Sequence, residues 1–191
     1  MTGLDLSWAV KRVDAALRAR QGIEEYTDDP LCVLRISLGK AGRALTLSDG
    51  ARIAPDDEVV QIHFWNEQLP LIPRTGPNAA WAATLGGRVR HSLSLFVARM
   101  QVDRRFDAMT ALWTDPPAAD GVGQMQMSRI GRHLGFDVFD HEESALQAFF
   151  QGLLVSALLR TFNPGAKRAR LAYRRCEIWI SRAKLMSRYA H

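Results

Sequence analysis

Within the run VVQIHFWNEQLP, residues 59–70, a histidine sits inside an apolar strand pattern, and an amide and a carboxylate follow it closely. Those are residue types suited to proton transfer. An imidazole titrates near neutrality, and a neighbouring carboxylate or amide can fix which ring nitrogen carries the hydrogen. His63 is therefore a candidate general base, with Glu67 or Asn66 orienting its tautomer. Strand alternation places Val60, Ile62 and Phe64 on one face and Val59, Gln61, His63 and Trp65 on the other. The first set reads as core. The second is mixed, as on a sheet face lining a polar cleft, so Gln61 and Trp65 become candidate ligand contacts. Arg88 or Arg182 is expected close enough to neutralise an anionic ligand there. The alternative is a half-buried sheet histidine donating to a backbone carbonyl, with Glu67 solvated.

Other stretches offer less chemistry. DVFDHEE, residues 137–143, gathers acids around His141, but helix capping by Asp140 with Glu142 and Glu143 at the positive helix end explains it better than a metal. ADGVGQ, residues 119–124, is a weak anion-cradling signal. GxSxG, HExxH and P-loop patterns are absent, and no metal or cofactor is expected. Cys32 and Cys176 show no CxxC spacing, and the opening residues lack the apolar core of a signal peptide. Reduced thiols and a cytoplasmic setting are the expectation.

Charge is unevenly distributed. Residues 160–191 hold nine Lys or Arg and one acid, Glu177, a balance of +8, whereas the rest holds sixteen basic and nineteen acidic residues, a balance of −3. Arg160, Lys167, Arg168, Arg170, Arg174 and Arg175 form a candidate anionic-surface site, for an anionic membrane or, as a weaker alternative, nucleic acid. No RNA-binding aromatic pattern or zinc finger accompanies them. The apolar run at 145–159 spans about 22 Å as a helix, at ~1.5 Å per residue, short of a ~30 Å hydrocarbon core. It reads as a core helix or as an element dipping into a membrane interface on the inner face.

The elements that must position His63 follow from periodicity. Leu6, Val10, Val13 and Leu17 predict an amphipathic opening helix that stops at Gly22. LCVLRISL (31–38), RALTLS (43–48) and the strand 58–65 predict a three-stranded antiparallel meander, with Asp49-Gly50 as a tight turn. Asn78 caps a helix to about 102, interrupted in propensity by Gly86-Gly87. A strand follows at 107–114, a helix at 125–134 stopped by Gly135, a short strand at 136–139 and an apolar helix at 141–162. A strand at 175–181 and a basic helix at 182–189 complete the pattern. The chain of 191 residues, 47% apolar, carries no linker or repeat, so a single α+β domain is expected.

Three segments together resemble the YkoP-like family. LSDGARIAPDDEVVQIHFWNEQL is similar to its L-S-D-G turn and strand ending in I-H-x-x-N, RHLGFDVF to its R-L-G-F segment, and EIWISRAKLMSRYA to its closing S-[RK]-x-x-L-x-x-x-Y-G. Ala190 stands where that pattern shows glycine. The resemblance singles out His63 and Asn66, Asp49 and Gly50 in the turn, and Ser181 and Arg182 near the basic helix. It assigns none of them a reaction. The family's domain also occurs attached to polysaccharide deacetylases, which implies cell-envelope polysaccharide or glycolipid metabolism. The expectation is an accessory protein binding an anionic small molecule or lipid-linked sugar near His63. The alternative is a small transferase or hydrolase using His63 as general base.

Overall fold

Alternating apolar residues build the sheet. In a computed structural model that describes residues 20–73, 78–115, 129–141 and 175–190, the strands are β1 (Leu34–Lys40), β2 (Leu45–Thr46), β3 (Arg52–Ile53), β4 (Glu58–Phe64), β5 (Ala111–Thr114), β6 (Asp137–His141) and β7 (Arg175–Ser181). The helices are α1 (Ala79–Val102) and α2 (Arg182–Tyr189), with short 3-10 turns at Asn66–Gln68 and Arg104–Phe106. Five strands form one mixed sheet in the order β1-β4-β5-β7-β6. β4 and β5 run parallel, and the chain between them passes through α1, the long crossover that a parallel pair requires.

The expected meander is corrected here. β1 pairs directly with β4, Ile36 opposite Ile62, and the expected middle strand leaves the sheet to form a separate β2–β3 ribbon. The base of the ribbon is closed by Ala41 N to Asp57 O at 2.9 Å and Asp56 N to Ala41 O at 2.8 Å. With 43–48 folded back on 52–53, the backbone groups of β1 are left for β4, whose apolar alternation matches that of β1. The strand expected at 107–114 shortens to β5, because the turn that follows the 3-10 residues Arg104–Phe106 takes its first residues. β6 continues through Asp140 and His141, paired with Cys176 and Arg175, where the sequence suggested a helix cap. The opening helix and most of the apolar stretch 142–162 lie outside the described residues.

Each sheet face buries a different layer. Leu34, Ile36, Val60, Ile62, Leu112 and Ile180 pack beneath Leu93, Phe96, Val97 and Met100 of α1 and Leu185 and Tyr189 of α2. Phe96 meets Tyr26 and Phe106 edge-on at 5.4 and 5.2 Å. Fully burying such a side chain contributes about 1.5–3 kcal/mol. Asn78 caps α1 by accepting from Trp81 N, and the helix runs through Gly86-Gly87 to bury Leu93, Phe96, Val97 and Met100. On the opposite face Leu47 and Ile53 of the ribbon pack on Val59, Ala111 and Trp179. Gly135, at φ +91°, ends the helical residues 129–133 with Phe136 N bonding to Gly131 O at 2.9 Å, a turn that disfavours a β-carbon. Ala190 is extended, at φ −75°, so that position requires no glycine.

Candidate functional site

Sheet register sets out the site. Beyond the ribbon, the face opposite α1 carries polar side chains in rows across the strands. One row runs Ser37, Gln61, Trp113, Trp179 and Asp137. The next runs Arg35 and His63, then, one step past β5, Asp115, then Glu177 and Phe139. A face of this kind is costly to bury unless its groups are bonded, and they are. Gln61 Nε2 donates to Asp115 Oδ1 at 3.1 Å. Trp179 Nε1 donates to Glu177 Oε2, which also takes Arg43 at 2.7 Å. The Trp113 and Trp179 rings stack at 5.2 Å.

His63 lies in this cluster, half-buried on the polar face. Its Nε2 is 2.9 Å from Ser37 Oγ across the β1–β4 pair. Burial lowers its pKa from 6.5 to about 4, so the imidazole is neutral at physiological pH. Ser37 itself is only 6% exposed. Sequence reasoning missed it because the contact joins residues 26 apart, and nothing but the pairing register brings them together.

The proposed orienting residues have other roles. Glu67 accepts from Arg35 Nη1 at 3.2 Å, and Arg35 reaches Glu25 at 2.8 Å. The Arg35 guanidinium also lies over the Trp65 ring at 4.5 Å. Arg35, 5% exposed, is a buried cation held by two carboxylates and an indole. Asn66 follows on the 3-10 turn with Glu67. Gln61, His63 and Trp65 thus share this face, and Glu67 reaches it through Arg35.

Arg88, Ser181 and Arg182 do not join them. Arg88 is on α1, which covers the other face, and its Nη1 donates to Gln68 O at 2.8 Å. Ser181 shares the row of Ala111 and Val59, four residues along β4 and two strands across from His63. At ~3.3 Å per residue and ~4.8 Å per strand that is a separation of roughly 16 Å. Arg182 caps the carbonyls of Phe106 and Asp107. Ser181 accepts from Lys184 N at the start of α2 and donates to Asp49, whose carboxyl that bond holds below the usual range. Gly50, at φ +83°, lets the L-S-D-G turn close with Gly50 N on Leu47 O at 2.9 Å. Ser48 N donates to Asp137 at 2.9 Å, and Lys184 reaches Ser48 Oγ at 3.1 Å. The L-S-D-G and S-R-x-K segments therefore hold each other, as a structural latch between the ribbon tip and α2. Arg160, Lys167, Arg168, Arg170 and Arg174 lie outside the described residues, as does the side chain of Arg175.

Among the described residues no three His, Cys, Asp or Glu side chains are grouped to hold a metal. No helix among them is long and apolar enough to cross a membrane.

A mixed sheet with one helix-covered face and one polar, ribbon-bordered face defines an α+β domain with its candidate site on the sheet. The chain belongs to the YkoP domain family, whose sequence model matches residues 8–189. No curated protein and no solved structure matches it.

Proposed function

We propose that this chain is a cytoplasmic accessory protein of cell-envelope polysaccharide or glycolipid metabolism, holding its ligand on the polar sheet face around His63. The observation that carries the reading is the alignment of neutral hydrogen-bonding groups there. Ser37, Gln61 and His63 are aligned across two strands beside Trp113, with the Trp65 ring against Arg35. Neutral donors and acceptors next to indoles suit a hydroxyl-rich ligand. The assignment to the envelope rests on the family resemblance. An anionic group on the ligand would enter by taking Arg35 from Glu67, the partner 34% exposed and held at 3.2 Å, while the 2.8 Å bond to Glu25 remains.

Native mass spectrometry of the full chain, purified from a bacterial host, tests this. The expected result is a co-purified sugar or glycolipid mass, lost in Gln61→Ala and kept in Arg188→Ala on the far side of the molecule. A wild-type protein that carries no ligand, and binds no envelope oligosaccharide or glycolipid at millimolar concentration, would overturn it.

A further inference from the structure

We propose that Ser37 and His63 form a nucleophile–base pair able to cleave a carboxylic ester of the ligand class proposed above, and the inference rests on that reading of the face. A hydroxyl becomes a useful nucleophile when a base stands within hydrogen-bond reach of it. The 2.9 Å separation between Ser37 Oγ and His63 Nε2 meets that condition. The β1–β4 ladder maintains it, because Ser37 pairs with Gln61 and His63 with Arg35, so the two side chains are diagonal neighbours on one face. The neutral state of His63 leaves a ring nitrogen able to accept a proton.

A carboxylate lies in the row of His63, the row next to that of Ser37. Asp115 stands one register step past the last β4–β5 pair, on the side of His63 away from Ser37, and Gln61 holds it at 3.1 Å. Serine, histidine and acid thus follow one another across β1, β4 and the end of β5. Asp115 is here a positioning residue that acts through Gln61, the residue paired with Ser37 across the β1–β4 ladder.

The step balances without a further reagent except water. Ser37 Oγ attacks the ester carbonyl carbon, and its proton passes to His63 Nε2. The tetrahedral adduct collapses with cleavage of the carbon–oxygen ester bond, and the departing alkoxide takes the proton from His63 to leave as the alcohol. Water then attacks the acyl-Ser37 carbonyl and gives a proton to His63. Collapse returns that proton to Ser37 Oγ and releases the carboxylic acid.

The test uses the full chain with a fluorophosphonate probe and with 4-nitrophenyl acetate. The probe should add its phosphonyl mass to the tryptic peptide covering residues 36–40, and His63→Gln should slow both reactions by at least about 100-fold. The rate should be flat between pH 6 and 8, because the base is already unprotonated there. Absence of label in the wild type, label on another residue, or a rate rising tenfold per pH unit would overturn the proposal. The site of labelling is read on the wild type, so it does not depend on any variant folding. Label on Ser37 in a chain that binds no sugar or glycolipid would keep the ester chemistry and remove the envelope reading. A bound sugar without label would do the reverse.

Discussion

Replacing His63 with glutamine should flatten the acid limb of the stability curve. Burial depresses the pKa of His63 from 6.5 to about 4, so the folded state resists a proton that the unfolded chain accepts. Above pH 6.5 the ring is neutral in both states and contributes no pH dependence. Between 6.5 and 4 the unfolded state binds more protons, so stability falls as pH falls. Below 4 both states are protonated and the penalty is complete. The gap between the two values corresponds to about 3 kcal/mol. Urea titrations of wild type and His63→Gln at pH 7, 5 and 4 measure it directly. Carboxylates elsewhere titrate in both proteins, so the difference between the two isolates His63. The wild type should lose about 3 kcal/mol more than the variant from pH 7 to 4. Parallel curves would refute the reasoning and imply an imidazole that water reaches freely.

Ser92→Ala should cost about 1–3 kcal/mol in urea, because the fully buried Ser92 hydroxyl accepts from Val33 N at 2.9 Å and that donor would lose its partner. Gly135→Ala should lower stability by at least about 1 kcal/mol. Its φ is +91° and an added β-carbon would lie 2.9 Å from Arg188 Cδ, so a thermal melt of this variant should shift down, whereas one of Gly42→Ala, which has open space, should not. The basic stretch from Arg160 to Arg175 should bring the chain down with vesicles containing anionic lipid at low salt and not with neutral ones. Four basic residues at ~1 kcal/mol each give about a thousandfold enrichment, and equal sedimentation with both lipids would remove the membrane reading.

Local signals carried well from sequence to structure. Asn78 caps α1 on Trp81, Gly135 stops the helical residues before it, and β7 spans the strand expected at 175–181. Each depends on a few adjacent residues. Pairing was less legible, because alternation says which residues share a face and nothing about which strand lies beside it. Two strands of matching pattern, 43–48 and 58–65, both suited β1, and backbone closure at Ala41 and Asp57 decided between them. The same ambiguity hid Ser37 from His63 and concealed the burial of Arg35, whose partners Glu25 and Glu67 lie 10 and 32 residues away. Ser181 drew attention through motif resemblance and Arg182 also as a cation expected near His63, but Ser181 bonds Asp49 of the ribbon and Arg182 the carbonyls of Phe106 and Asp107.

The latch also bears on how the chain acquires its shape during synthesis. Ser48 and Asp49 meet partners 89 to 136 residues later, at Asp137, Ser181 and Lys184. Central β5 likewise gains its second neighbour only when β7 arrives. Contacts this distant make folding slow, since a long loop must close before they are made. On the ribosome, β1, β4 and α1 can assemble early, while the outer edge of β5 and the ribbon tip wait for residues 175–189 to emerge. Through that interval an open strand edge is exposed to neighbouring nascent chains, the kind of surface that chaperones shield.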